Sequence, residues 1–277
     1  MLICICIAVL LACGGDGLPI LSTATPEPTP TSIYTATPSP TLPPSPTPEP
    51  IDTGWQSATT GSEIRTLEVP TSFGLERLAI VRLNPAHVRF RVLYAQGDPR
   101  ALGTWAYETG ALLVVNGGYF SEDYTALGLA ISNGQVTGSS YGDFAGMFAV
   151  TQDEAVSVRW LRAWPYNPGE YLSEAVQCFP VLVKPGGIMG FPADGDDGRP
   201  ARRMVVAQDY AGNILFLVAP HGYFNLHELA VWLSGSDLGV NTALNLDGGP
   251  SAGLWMPGYA TVDSMIPVPL VIAVIQQ

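Results

Sequence analysis

Little of this chain is charged. Asp, Glu, Lys and Arg make up 13% of its 277 residues, against 47% that are hydrophobic. Bases are scarcer than acids, 12 Lys plus Arg against 24 Asp plus Glu, for a net charge of -12. Three of the acids and none of the bases precede residue 51. Nucleic-acid backbones are bound by basic surfaces, so nucleic acid is excluded as a partner. One phosphate gripped locally by arginine is not. Histidine is also sparse, and His87, His221 and His227 lack metal-ligand spacing. Of the four cysteines, Cys4, Cys6 and Cys13 crowd the N-terminus and only Cys178 falls in the remainder. No internal disulfide can staple that remainder, so its core must hold it together alone. Cys178, between Gln177 and Phe179, reads as a small buried hydrophobe rather than a nucleophile. No internal repeat is present.

The apolar run from Leu2 to Leu11 is too short to span a bilayer as a helix, which takes roughly 20 residues. It fits the apolar stretch of a secretory signal, although no Lys or Arg precedes it. Leu10-Leu11-Ala12-Cys13 then reads as a lipobox, with Cys13 the lipidation site and the mature N-terminus. The expectation is an extracytoplasmic protein held on the cell membrane by its N-terminal lipid. From Thr23 to Pro50 nearly every residue is Thr, Pro, Ser, Ala or Glu. Proline fixes φ and removes donors, so the stretch predicts extended polyproline II. At about 3.1 Å per residue it would reach on the order of 80 Å. Three parts follow: signal and lipobox over 1–13, linker over 14–50, and a folded domain over 51–277.

That domain reads as β-rich. ERLAIVRL (76–83) and VRFRVLYA (88–95) alternate apolar and polar residues around Asn84-Pro85, a strand-turn-strand signal. GLAIS and QVTG flank Asn133-Gly134, the favoured pair for a type I′ turn. MFAVT and VSVRW flank Gln152-Asp153-Glu154, and RMVVAQD and NILFLVA flank Tyr210-Ala211-Gly212. Ala111–Val115, TALNLDGG and VPLVIAVIQ predict further strands. The best helix starts after Asn225 and runs to 239, with Glu228 placed to complete a capping box. Strands outnumber helices and hairpins dominate. The fold class expected is α+β, a single domain of strongly twisted, hairpin-rich β-sheet with a few flanking helices.

Three loops carry chemistry. Asn116-Gly117-Gly118-Tyr119-Phe120 follows an apolar strand, its glycines permitting positive φ and close backbone approach to a ligand. Leu246-Asp247-Gly248-Gly249-Pro250-Ser251 sets a carboxylate and a hydroxyl around unobstructed N–H groups. Arg202-Arg203 opens a strand and offers a fork for phosphate or carboxylate. Asp194, Asp196 and Asp197 read as a solvated acidic turn that lacks the closing Glu of an EF-hand. Trp105, Trp164, Tyr166 and Trp255 are of the type that stacks on sugar rings, but most aromatics are core. Ser251 has no nucleophile elbow around it.

Together and in this order, NGGYF, QCFPVLVKPGG (177–187), RRMVVAQD, NLHELAVWL and ALNLDGGPS resemble the phosphodiester glycosidases, the family of the uncovering enzyme. The resemblance covers about residues 75 to 275. It implies a hydrolase that cleaves a sugar-1-phosphodiester bond in an envelope or exported glycan, with a glycan or sugar phosphodiester as its partner. It implies Asp247, Arg203 and Asn116 as catalytic residues. Gly117, Gly118, Tyr119, Gln177, Arg202, Gly248, Gly249 and Ser251 are implied as substrate-binding, and Pro180 falls in the second segment. Glu122 and Asp123 are the nearest candidates for a second carboxylate. No cofactor is called for, and a divalent cation such as calcium stays open. Pro250 and Phe179 stand where the family commonly has glycine. The alternatives are a degenerate polysaccharide-binding lipoprotein, for which Pro250 argues, or a hydrolase of another cell-wall glycan bond.

Overall fold

Asn133 and Gly134 take φ of 48° and 76°, the left-handed pair that a type I′ turn requires. They join Ala130–Ser132 to Gln135–Thr137 as a hairpin. Gly146–Thr151 with Val156–Trp160 and Ala201–Asp209 with Ile214–Phe224 also form hairpins, each turning through one left-handed residue, Glu154 at φ 66° and Gly212 at φ 87°. This computed structural model describes residues 51–277; the signal, Cys13 and the linker lie outside the described residues.

The turn at Asn84-Pro85 forms, with Asn84 Oδ1 accepting the Ala86 amide at 2.9 Å, yet its two strands part. Gly74–Leu83 pairs with Ser62–Thr71 and Ile214–Phe224, while Val88–Tyr94 crosses to another sheet and pairs with Leu270–Gln276. Leu78 and Ile80 enter one core cluster and Val81 and Leu83 another. A strand apolar on both faces belongs inside a large sheet rather than in a lone hairpin.

Three antiparallel sheets result, with two α-helices, and the class is α+β. The largest has eight strands and is centred on Gly74–Leu83, Ile214–Phe224, Ala201–Asp209 and Val240–Asn245. A second has five, ordered Ala260–Val262, Leu254–Met256, Leu113–Asn116, Leu270–Gln276 and Val88–Tyr94. A third, also of five, places Leu172–Cys178 between Ala130–Ser132 and Gly146–Thr151. One phenylalanine from each sheet meets the others in the core: Phe90 and Phe148 at 5.7 Å between ring centroids, and Phe216 at 6.4 Å from both. All three are fully buried.

Helix α1 (Leu102–Thr109), unanticipated in the sequence, has no side-chain N-cap and ends on Gly110 at φ 65°. Helix α2 (Leu226–Gly235) buries Leu229, Ala230 and Leu233 against the far face of the large sheet. Asn225 caps it, its Oδ1 accepting the Glu228 amide at 2.7 Å. The expected capping box is not completed, because Glu228 turns outward and accepts the Ser72 amide at 3.1 Å. The helix also stops at Gly235, short of residue 239, where Ser236 Oγ donates to the Leu233 carbonyl.

Phe148→Ala removes one member of the three-sheet contact and is expected to lower stability by about 3–5 kcal/mol. Urea unfolding followed by circular dichroism measures it. A loss under about 1 kcal/mol would place the junction of the sheets elsewhere.

Candidate active site

Strand ends from all three sheets come together. Leu113–Asn116 runs out into the first glycine loop, Leu172–Cys178 into Phe179-Pro180, and Val240–Asn245 into the second glycine loop. Ala201–Asp209 starts beside that last loop, where the Leu246 amide donates to the Met204 carbonyl at 2.8 Å. The two glycine loops touch directly, the Asp247 amide donating to the Gly117 carbonyl at 3.1 Å.

Asn116 locks them. Its Nδ2 donates to the Asp247 carbonyl at 2.7 Å and its Oδ1 accepts the Gly253 amide at 2.9 Å. At 1% exposure, with Oδ1 and one of the two Nδ2 hydrogens engaged, Asn116, expected as catalytic, braces the two loops. Gly117 and Gly118 pack tightly against the framework. Neither takes positive φ. A Cβ on Gly117 would lie 2.9 Å from Leu270 Cγ, and one on Gly118 3.1 Å from Val176 Cγ1. The close approach seen is to neighbouring strands.

Two more expected substrate contacts belong to the framework. Tyr119 OH donates to the Phe179 carbonyl at 2.6 Å and accepts from Asn245 Nδ2 at 3.0 Å. Burial pushes this phenol far above its ordinary range, so it stays neutral. Gln177 is 1% exposed, and its Oε1 accepts the Tyr141 amide at 3.0 Å. Asn245 was not singled out in the sequence, yet it is buried and its Nδ2 also donates to the carbonyls of Phe179 and Leu246 at 3.2 and 2.8 Å. An asparagine inside the apolar run ALNL was the available signal, since a buried amide must find partners. Cys178 is buried and free. Its sulfur faces the backbone amides of Tyr119 and Asp247, and burial pushes the thiol pKa up, with the Asp247 charge adding to it.

Less buried are Asp247, Gly248 and Gly249, with Ser251 buried behind Asp247 and Arg203 beside Gly248. Asp247 is part-buried, and its pKa is pushed up to about 6 by burial. Hydrogen bonds from the Ser251 side chain and the Gly248 amide favour the charged form and oppose that rise. Ser251 is held in the short 3-10 turn Gly249–Ser251. Gly248 has no room for a side chain, because a Cβ there would lie 2.9 Å from the Arg202 carbonyl. The same Cβ position is 3.9 Å from Arg203 Nη1, which sets Arg203 beside Gly248.

The two arginines divide their work. Arg202 Nη2 donates to the carbonyls of Ala252 at 2.8 Å and Asp263 at 2.6 Å, fastening the segment after the second glycine loop. Arg203 is held by backbone carbonyls, Nε to Phe224 at 3.1 Å and Nη2 to Arg199 at 2.9 Å. Among the described residues no carboxylate lies within ion-pair distance of it. Burial lowers its pKa, opposed by the more distant charges of Asp196 and Asp197. Its guanidinium lines a cavity of about 450 Å³ with Asp196, Asp197, Arg199 and Leu226.

The second-carboxylate candidates stay apart. Glu122 and Asp123 are exposed, and Asp123 is engaged in its own turn, accepting from Thr125 Oγ1 at 3.1 Å. No other carboxylate contributes to the shift of Asp247. Asp196 and Asp197 hold the 194–199 turn, accepting the amides of Gly198 and Arg199 at 3.0 and 2.9 Å. Among the described residues no group of three or more His, Cys, Asp or Glu is placed to hold a metal ion. Trp105 is core, its Nε1 donating to the Val268 carbonyl at 3.0 Å.

A model of the phosphodiester glycosidase family matches residues 109–275. No curated protein matches the sequence. Among solved structures, the chain is similar to the catalytic domain of zebrafish N-acetylglucosamine-1-phosphodiester α-N-acetylglucosaminidase, auto-inhibited by its pro-peptide. That likeness has 18% identity and a TM-score of 0.63, and covers 83% of this chain and 88% of the other. A hypothetical protein from Synechocystis is similar at 19% identity and a TM-score of 0.58, covering 83% of this chain and 64% of that one. At these identities the likeness is one of fold.

The raised Asp247 pKa has a stability consequence. Its folded value of about 6 exceeds the ordinary 3.8, so the ionised form destabilises the fold above pH 6, and that cost vanishes below about pH 4. Asp247→Asn is expected to be more stable than the parent at pH 7.5, by at most about 3 kcal/mol, with the gap closing as pH falls to 4. Urea unfolding at the two pH values reads it. A variant less stable than the parent at pH 7.5 would mean that the bonds from Ser251 and Gly248 outweigh burial.

Proposed function

The chain belongs to the phosphodiester glycosidase family, and from that premise we propose that it cleaves the bond between a sugar's anomeric carbon and a phosphate esterified to a second group, in an envelope or exported glycan. Members of the family hydrolyse phosphodiester glycosidic bonds. The observation that carries the reading is Arg203, a half-buried guanidinium without an acid partner, set beside Gly248, the residue that follows Asp247, whose carboxyl burial raises to about 6.

Such a reaction builds negative charge on the departing phosphate and positive charge on the sugar ring. Arg203 takes the phosphate, with donors to spare for a bidentate grip. Asp247 sits by the anomeric carbon as base or nucleophile, oriented by Ser251 and the Gly248 amide. The leaving group is a phosphate monoester, already stable as an anion, so a second carboxylate to protonate it is not required. The engagement of Asp123 in its own turn fits that chemistry.

The setting follows from the N-terminus. The lipobox at Cys13 and the proline-rich run from Thr23 to Pro50 support an enzyme anchored by lipid to the outside of the cell membrane and held away from it by a stalk. A binding-only reading draws on Pro250, which removes an N–H from the loop that faces the ligand. Against it stands Asp247, since a loop that merely grips has no need of a carboxylate held against its own solvation.

With an α-N-acetylglucosaminyl phosphodiester as substrate, the parent is expected to release free sugar, Asp247→Asn none, and Arg203→Ala ~100-fold less. Turnover should rise through pH 6 as Asp247 ionises. Arg203→Ala within a few-fold of the parent would remove the phosphate role from that arginine, and turnover that falls through pH 6 would make Asp247 a general acid instead.

A further inference from the structure

A second cavity, of about 320 Å³, opens on the other side of Phe179. Its walls include Phe144, Trp160, Phe179 and Phe191, with Arg162 and Lys184 among them. Phe179 joins it to the candidate active site. The Phe179 ring centroid lies 4.9 Å from that of Tyr119 and 5.5 Å from that of Phe144, and its carbonyl is held by Tyr119 OH. The groove therefore begins one side chain away from Tyr119 of the first glycine loop, whose Gly117 carbonyl accepts the Asp247 amide.

We propose that this groove is the subsite for the group beyond the phosphate and that it receives an anionic sugar, a pyranose carrying a phosphate or a carboxylate. The proposal rests on the hydrolytic reading for its place in the reaction, and on the groove alone for its ligand. Aromatic faces suit the C–H faces of a pyranose, as they suit other partly apolar rings. The charge is the more specific feature. Lys184 is the only lysine in the chain, and it pairs with no carboxylate among the described residues. Its Nζ stands 5.0 Å from the Trp160 ring centroid instead. In a chain of net charge -12, an ammonium without an acid partner beside an aromatic groove is an unmatched charge awaiting an anion. Arg162 stands on the same tryptophan, 5.9 Å from its centroid, with one exposed contact to Asp143 at 3.2 Å. Lys184 is carried by the strand Val181–Lys184, part of the large sheet, so the charge is presented from a rigid element.

The test is binding, read by calorimetry on the full chain with glucose, glucose 6-phosphate and glucuronate. Glucose 6-phosphate or glucuronate should bind at least about tenfold tighter than glucose. Lys184→Met should remove most of that margin and leave glucose binding unchanged, whereas Trp160→Ala should weaken all three sugars. Whichever of the two anions keeps the margin names the acidic group. The margin must persist in Arg203→Ala, which separates the groove from the phosphate site beside Asp247. Equal binding of the charged and neutral sugars, or a margin untouched by Lys184→Met, would overturn the proposal. Turnover in the parent and in Asp247→Asn is scored separately, so failure of the hydrolytic reading and failure of the groove appear in different measurements.

Discussion

Phe90, Phe148 and Phe216 each belong to a different sheet, and their contact sets how the three sheets meet. Packed interiors are as dense as organic crystals, so such a junction admits little rotation. The strands that carry Phe148 and Phe216 are paired with strands whose ends reach the candidate site: Leu172–Cys178 in one case, Ala201–Asp209 in the other. Phe90 is linked to Leu113–Asn116 through Leu270–Gln276. Fixing the three rings thus fixes, one strand away, the origins of the loops that hold Asp247 and Arg203. The site inherits its geometry from the core.

Around that geometry most of the polar motif residues bond to one another. Asn116, Tyr119, Gln177, Asn245 and Arg202 all direct side-chain donors or acceptors at backbone groups of neighbouring segments. Such a buried polar network favours one arrangement, although Arg202 Nε and Asn245 Oδ1 are buried without a partner. It leaves one carboxylate and one guanidinium, whose burial shifts both away from their charged forms. Donors and charges held in place before substrate arrives are what electrostatic catalysis requires, and the proposed chemistry draws on both.

Local features of the fold were legible in the sequence. Asn133-Gly134 announced its hairpin, and Asn225 announced the start of α2, because both signals depend only on neighbours in the chain. Partner choice was not legible. The turn at Asn84-Pro85 looks the same whether its strands pair with each other or leave for different sheets, and only the two-sided burial of Gly74–Leu83 decides. At the site, the motif residues were legible as a group because their types and order carry the family pattern. Which of them face a ligand was not. Asn116 and Asp247 are equally polar on paper, and only the carbonyl and amide waiting on either side of Asn116 separate a strut from a reacting group.

Leu270–Gln276 is the last strand described, yet it lies inside its sheet, between Leu113–Asn116 and Val88–Tyr94, and Leu270 supports Gly117 from below. The first glycine loop therefore rests on a strand far along the chain from it. Contacts this distant in sequence form late and slowly. The two glycine loops thus come to rest only once Leu270–Gln276 has slotted between its two neighbours, so their shape is a long-range property of the chain.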